Sequence, residues 1–125
     1  MSQILIVEDN EKNMKLVRDI LQHAGHRTLE TASGHEGVRL AQQHRPDLVL
    51  MDIQLPDIDG IEALRQIRAD PALDAVPVLA VSASVMPEEL RMFAAAGFDA
   101  YVTKPIALRE FQATVRRFLE NGRPT

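Results

Sequence analysis

The sequence predicts an α/β protein in which five parallel strands form one sheet with helices on both faces. Strand-like and helix-like segments alternate five times along the chain, and most of the strand-like segments are short, nearly all-apolar runs. Such runs are typical of strands whose two faces are both buried. The 125 residues are enough for one compact domain, and no linker, repeat or low-complexity stretch divides them.

The first two predicted strands differ in polarity. Ile4–Val7 is apolar, and Asn10 after it can cap a helix that Gly25 ends. Between these two residues, apolar side chains recur at helical spacing. Arg27–Thr31 is a more polar strand segment, which favours a position nearer the edge of the sheet.

The middle of the chain continues the alternation. Ser33 and Glu36 have the spacing of a capping box, in which each side chain can accept the other residue's backbone N–H, and the helix that they begin runs to about His44. Leu48–Met51 is the third strand, and a third helix covers about Gly60–Ala69.

The last third of the chain repeats the pattern. Val78–Val81 is the fourth strand, Pro87 suits the first position of a helix that Gly97 closes, and Ala100–Thr103 is the fifth strand. The last helix is predicted to bury apolar residues at helical spacing, namely Leu108, Phe111, Val115, Phe118 and Leu119. We expect residues 1–121 to form the domain and residues 122–125 to form a C-terminal tail.

Composition excludes several classes of protein. Fourteen basic and eighteen acidic residues give a formal charge of -4, which does not suggest a nucleic-acid groove. The absence of cysteine excludes disulfides, zinc–thiolate sites and thiol catalysis. No apolar run is long enough to cross a bilayer, and the N-terminus has no signal-peptide pattern. We therefore expect a cytoplasmic protein that binds neither nucleic acid nor membrane.

Polar residues follow four of the strands at the point where each strand ends. In an open parallel sheet, ligands bind beyond the carboxyl ends of the strands. The residues expected at that edge are Glu8, Asp9, Asp52, Ser82, Ala83 and Lys104. Each alone has an ordinary explanation, because acids often start helices, Asp often occupies turns, and a surface Lys is often solvated. Their coincidence at one edge favours a functional site.

The chemistry of this set indicates phosphoryl transfer. Three carboxylates in one place repel one another unless a cation intervenes, and oxygen ligands suit Mg²⁺. A metal ion that partly neutralises Asp52 would let its carboxylate attack a phosphoryl group. Lys104 can pair with phosphate oxygens as a point charge, and Ser82 can donate a hydrogen bond to one of them.

Short motifs surround these residues along nearly the whole chain. They are Ile4–Asn10, Pro46–Asp52, Leu55–Pro56 with Asp59–Gly60, Val81–Ala83, Ala96–Tyr101 and Lys104–Pro105. In this combination, the chain resembles the receiver domains of two-component response regulators. The resemblance implies a flavodoxin-like, doubly wound α/β sheet of five parallel strands in the order 2-1-3-4-5, with five helices.

The resemblance also implies an acceptor and a metal site. Asp52 matches the phosphoacceptor, and Glu8 and Asp9 match the acid pair that binds Mg²⁺, for which Mn²⁺ can substitute. Asp9 would be the direct ligand, Glu8 would act through water, and a backbone carbonyl at Gln54 would complete the protein ligands. Position 8 is Glu where many receivers have Asp, and both side chains can serve.

A second group of residues matches the part of a receiver that responds to phosphate. Ser82 matches the hydroxyl that moves toward the phosphoryl group, and Ala83 follows it. Tyr101 matches the aromatic switch whose ring turns inward on activation. Lys104 matches the phosphate-binding lysine, and its bond to Pro105 is expected to be cis, which X–Pro bonds permit at small cost.

The implied function is that of a signalling switch, not of a separate enzyme. A phosphohistidine on a sensor histidine kinase or a histidine phosphotransfer protein would donate to Asp52. The response would be binding to a downstream protein or onward relay of the phosphate, and the sequence leaves both open. We expect a stand-alone receiver that is a monomer or weak dimer. Asn10, Met14, Lys15 and Met51–Pro56 most resemble stand-alone receivers of the cell-division and polarity type.

Two other classes of protein use similar sheets. A phosphatase of the haloacid dehalogenase type would also carry an Asp nucleophile after a parallel strand. It needs a second Asp two residues later as general acid, where this chain has Gln54. A flavodoxin-like flavin-binding domain needs a phosphate-binding loop after the first strand, where the acidic residues of Glu8–Glu11 would repel phosphate.

Two further patterns suggest metal sites that we set aside. Asp57–Gly60 resembles part of a calcium loop, but Leu55 stands where the first Asp should be and Gln66 where the final Glu should be. His23 and His26 have no nearby acid or cysteine in the sequence, and we interpret them as a solvated pair.

Overall fold

The computed structural model describes residues 2–83 and 86–123, and within them five strands alternate with five α-helices. The strands cover Gln3–Val7 (β1), Arg27–Thr31 (β2), Leu48–Asp52 (β3), Val78–Ser82 (β4) and Ala100–Thr103 (β5). The α-helices cover Glu11–His23 (α1), Gly34–His44 (α2), Gly60–Arg68 (α3), Pro87–Ala96 (α4) and Leu108–Asn121 (α5). A 3₁₀ turn at Pro71–Leu73 follows α3 and was not predicted.

The sheet is parallel throughout, with the strand order β2-β1-β3-β4-β5, so the predicted fold class and order are confirmed. The polar strand β2 lies at one edge, as its composition suggested. All five residues of the central strand β3 are buried. Strand order reverses between β1 and β3, which is where ligands bind in open sheets of this kind.

Two apolar cores cover the two faces of the sheet, because side chains alternate between faces along each strand. On one face, Leu5 and Val49 pack with buried residues of α2, α3 and α4. On the other face, Ile4 and Leu50 pack with buried residues of α1 and α5. None of the helices described here has the length and apolar character needed to span a membrane.

The predicted helix caps are formed. The Asn10 side chain accepts the backbone N–H of Asn13 at 3.0 Å and begins α1. Ser33 Oγ accepts the backbone N–H of Glu36 at 3.2 Å and begins α2, but the reciprocal half of the predicted capping box is not formed, because Ser33 N donates to Thr31 Oγ1 at 3.1 Å. Gly97 ends α4 with φ 110, a left-handed conformation that favours glycine.

The C-terminal end of the chain follows α5. That helix extends through Asn121, and Arg123, within the predicted tail, donates hydrogen bonds to the Asp99 side chain and to the backbone carbonyl of Asp74. Residues 124 and 125 of the predicted tail lie outside the described residues.

Candidate functional site

Three carboxylates meet at the carboxyl ends of β1 and β3. Glu8 and Asp9 directly follow β1, and Asp52 ends β3. One oxygen from each of the three lies within 4.8 Å of the others. Glu8 and Asp52 are buried and Asp9 is exposed. Across residues 2–83 and 86–123, this is the one group of three acidic, His or Cys side chains that could hold a metal ion.

Lys104 brings a positive charge to the two buried carboxylates. Its Nζ lies 3.0 Å from Glu8 Oε1 and 3.0 Å from Asp52 Oδ2. The backbone fixes this position, because Lys104 N donates to the Ser82 carbonyl at 3.0 Å and so holds the end of β5 beside the end of β4. The Lys104–Pro105 peptide bond is cis, as the resemblance implied.

The electrostatics of the site favour a further cation. Burial raises the pKa of Glu8 to about 7, and the neighbouring Asp52 raises it too, whereas Lys104 and the Asn10 N–H lower it. Burial lowers the pKa of Lys104, but its bonds to Glu8 and Asp52 outweigh burial and leave that pKa raised. The Lys104 ammonium group therefore does not fully offset the negative charge of the two buried carboxylates. Their oxygens form a donor set that suits a hard divalent cation.

A cavity of about 290 Å³ lies beside Asp52. Its lining contains four of the other residues predicted for the site, which are Gln54, Ser82, Ala83 and Lys104. Gln54 N also donates to Asp52 Oδ1 at 3.1 Å, so the loop after β3 is tied to this carboxylate. Ser82 is buried and ends β4.

Glu89 also lines this cavity and was not predicted. The sequence-based prediction covers only residues that directly follow a strand, whereas Glu89 lies in the first turn of α4. A side chain in the first turn of a following helix can face the same edge of the sheet. The place of Glu89 in the first turn of the helix after β4 is the feature of the sequence from which it could have been predicted.

Tyr101 lies apart from the carboxylates. It is 46% exposed on β5 and lines a different cavity, between α4, β5 and α5, with Leu90, Phe93 and Phe98. Its role as an aromatic switch stays a prediction.

The patterns that we set aside form no metal site among the described residues. Asp57 accepts backbone N–H groups at the start of α2, and Asp59 accepts the backbone N–H of Glu62 at the start of α3. Asp59 is therefore the N-cap of α3, and Asp57 binds the first turn of α2 from the loop before α3. His23 is exposed and His26 is half-buried.

Known proteins with similar sequences point to one family. The family model of the response regulator receiver domain matches residues 4–116. The polar-differentiation response regulator DivK of Brucella anthropi is 43% identical over 116 residues, which are 93% of this chain and 94% of that protein. DivK of Brucella ovis has the same identity and the same coverage.

Solved structures lead to the same family. The receiver domain of sensor histidine kinase PA1611 from Pseudomonas aeruginosa, with a magnesium ion coordinated in its active-site cleft, matches with a TM-score of 0.89 and 34% identity over 96% of this chain and 98% of that chain. The chemotaxis response regulator CheY4 of Vibrio cholerae matches with a TM-score of 0.89 and 26% identity over 94% of this chain and 98% of that chain. By its sequence, its strand order and the acidic cluster after β1 and β3, this chain belongs to the response regulator receiver domain family.

Proposed function

We propose that this chain is a phosphorylation-dependent signalling switch in which Asp52 accepts a phosphoryl group from a phosphohistidine. The observation that carries the proposal is the place of Asp52. Its carboxylate is buried at the end of the central strand, belongs to the three-carboxylate cluster and lies 3.0 Å from Lys104 Nζ. A carboxylate in such a setting can act as a nucleophile toward phosphorus, because phosphoryl transfer needs mainly positioning and compensation of charge.

The donor set of the cluster fits Mg²⁺, or Mn²⁺ in its place. Asp9, Asp52 and the Gln54 carbonyl would hold the ion directly, and Glu8 would hold it through water. When bound, the ion supplies positive charge that offsets the carboxylates and the incoming phosphoryl group. The solved receiver domain of kinase PA1611 contains magnesium in its cleft, which supports this assignment.

The remaining residues of the cavity would serve the transferred group. A bond forms between an Asp52 carboxylate oxygen and phosphorus while the bond between phosphorus and the donor's imidazole nitrogen breaks. Lys104, released from its contact with the carboxylates, pairs with phosphate oxygens. Ser82 donates a hydrogen bond to another phosphate oxygen, and the small side chain of Ala83 leaves room beside it.

The partners follow from this chemistry. The donor is a sensor histidine kinase or a histidine phosphotransfer protein in the cytoplasm. The response is phosphorylation-dependent binding of a downstream protein, or relay of the phosphate to another carrier. The exposed ring of Tyr101 lies on the α4–β5–α5 side of the molecule, where a change of its position would alter a surface available to that downstream protein.

Labelling with a small phosphodonor tests the proposal. With Mg²⁺ and acetyl phosphate, the protein is expected to gain one phosphoryl group by intact mass, and Asp52→Ala is expected to gain none. A chelator should abolish labelling of the wild type. Asp74→Ala is the matched control, because Asp74 is an exposed aspartate distant from the cavity, and it should be labelled normally. Equal labelling of Asp52→Ala and wild type would refute the assignment.

A further inference from the structure

The loop between β3 and α3, residues 53–59, is fastened to α2 by one carboxylate. Asp57 Oδ1 accepts the backbone N–H of Gly34 at 2.8 Å. Asp57 Oδ2 accepts Ser33 Oγ–H at 2.8 Å and the backbone N–H of His35 at 2.9 Å. We call these three hydrogen bonds the Asp57 latch. The latch joins two elements that are distant in sequence, unlike an ordinary cap, which lies next to its own helix.

The physical setting of the latch makes it a firm contact. The first backbone N–H groups of a helix have no partner within the helix, and the helix dipole favours a negative charge beside them. The hydrogen bonds, led by that of the His35 N–H, hold the pKa of Asp57 well below its usual range. Asp57 therefore stays ionised at neutral and mildly acidic pH.

Apolar packing reinforces the same contact. A Cβ atom at Gly34 would lie 2.6 Å from Ile58 Cγ1 and 3.2 Å from Leu55 Cδ1. The loop and the first turn of α2 thus approach each other so closely that glycine leaves the necessary room. Leu55 and Ile58 are half-buried against the core of this face.

The other hydrogen bonds of the loop lie near its two ends. Near the start, Gln54 N donates to Asp52 Oδ1 at 3.1 Å, and at the end, Gly60 N donates to the Ile53 carbonyl at 2.9 Å. Asp59 caps α3, the helix that directly follows the loop. The Asp57 latch therefore fixes the middle of the loop to a different part of the fold.

We infer that Asp57 is a positioning residue for the metal site, because it fixes the 53–59 loop against α2 and so holds the Gln54 carbonyl where the metal ion requires it. This inference rests on the proposed function, which makes that carbonyl a ligand. Loss of the latch leaves the three carboxylates in place. It should therefore weaken Mg²⁺ binding without removing the acceptor.

Calorimetric titration of the unphosphorylated full chain with Mg²⁺ tests the inference directly. Asp57→Ala is expected to raise the Kd for Mg²⁺ about threefold to tenfold. This is no more than the smallest loss of metal affinity that is typical when a residue orienting a metal ligand is removed. Asp57→Asn keeps one acceptor oxygen and should show a smaller increase. Asp70→Ala is the control, because it removes a cap at the opposite end of the molecule, where Asp70 Oδ1 accepts Ala72 N–H at 3.0 Å. Its Kd should equal that of the wild type.

Two further measurements separate positioning from general destabilisation. The acetyl phosphate labelling rate of Asp57→Ala should need more Mg²⁺ to reach half its maximum, while the maximal rate stays within about twofold of wild type. Hydrogen exchange at the Gly34 and His35 amides should become faster in Asp57→Ala than in Asp70→Ala.

The outcomes distinguish the inference from the function on which it rests. An unchanged Kd for Mg²⁺ in Asp57→Ala would overturn the positioning role even if Asp52 is labelled normally. A reduced maximal rate with unchanged Mg²⁺ affinity would overturn it as well. A wild type that binds Mg²⁺ but is never labelled would refute the proposed function, and the Kd values would still decide the role of Asp57.

Discussion

Glu8 shows how one residue of the site is controlled by its surroundings. Its side chain is 4% exposed, and burial together with the adjacent Asp52 carboxylate raises its pKa to about 7. Lys104 opposes that shift but does not cancel it. In the metal-free protein, Glu8 therefore keeps a proton at pH values where an exposed glutamate has lost it.

This difference predicts a pH dependence of stability. Between the ordinary pKa of 4.5 and about 7, the folded protein holds a proton on Glu8 that the unfolded chain has released. The stabilisation that this proton provides is fully present below pH 4.5 and is lost as the pH rises through 7. Without metal, the Tm of wild type should therefore fall relative to that of Glu8→Gln as the pH increases over this range. Tm curves that run parallel at all pH values would contradict the raised pKa.

The meeting of the carboxylates could be predicted because Glu8, Asp9 and Asp52 directly follow or end a strand, and all parallel strands end at the same edge. Glu89 and Asp57 could not be predicted in this way. Their positions depend on the direction in which a helix leaves the sheet and on the path of a loop. Both are set by packing between elements distant in sequence, which a local pattern does not contain.

At the scale of elements, the start of α3 is pressed against the end of β3. A Cβ atom at Gly60 would overlap the Asp52 carbonyl oxygen and would lie 2.9 Å from Ile53 Cα. Both are backbone atoms, which cannot rotate away as the end of a side chain can. The sequence predicted that this helix begins at about Gly60, but it contained no sign that the helix touches the backbone of Asp52.

This contact reverses the usual effect of replacing glycine in a helix. Alanine normally stabilises a helix relative to glycine. Here Gly60→Ala should lower the free energy of unfolding by about 1–3 kcal/mol, the range typical of overpacking. Gly34→Ala is the comparison, because its added methyl group would meet the half-buried Ile58 side chain and should cost less. Urea denaturation of both variants measures the difference in the free energy of unfolding. A Gly60→Ala variant as stable as wild type would show that the backbone shifts to make room for the methyl group.

Helix ends illustrate which element properties are local. The caps at Asn10 and Ser33 form as predicted, because a cap is decided by residues within one turn. The stop of α1 also forms as predicted, because the helix ends at His23, Ala24 is its C-cap, and Gly25 follows with φ 94, the left-handed conformation that favours glycine after a helix. The 3₁₀ turn at Pro71–Leu73, by contrast, was not predicted, because an element of three residues is too short to show apolar periodicity; Asp70 caps this turn.

At the scale of the whole molecule, the two ends of the sheet carry different groups of charged residues. The carboxyl ends of the strands hold the acidic cluster. The opposite end holds a buried network around Asp99, whose side chain is 5% exposed. Its carboxylate accepts the Val78 N–H at 2.9 Å, Arg68 Nη2 at 3.1 Å and Arg123 Nε at 2.9 Å. The network thereby connects the end of α3, the start of β4 and the second residue after α5.

The two arginines of this network lie in different environments. The Arg68 side chain is 17% exposed and also donates to the carbonyls of Leu73 and Val76. The Arg123 side chain is 31% exposed and lies near the end of the described chain. A buried charge that loses its partner is costly, whereas an ion pair near the surface contributes little.

The last prediction uses this contrast. Asp99→Asn should lower the free energy of unfolding by about 3 kcal/mol, because it removes the carboxylate that pairs directly with the buried Arg68 charge. Arg123→Ala should cost only about 0.5–1 kcal/mol, because Asp99 still pairs with Arg68. Denaturation in urea gives both values, and acetyl phosphate labelling of the folded variants should match wild type because the network lies at the end of the sheet opposite Asp52. Equal losses in the two variants would show that the C-terminal contact, and not the buried pair, holds this end together. Impaired labelling of folded Asp99→Asn would show that the two ends are coupled.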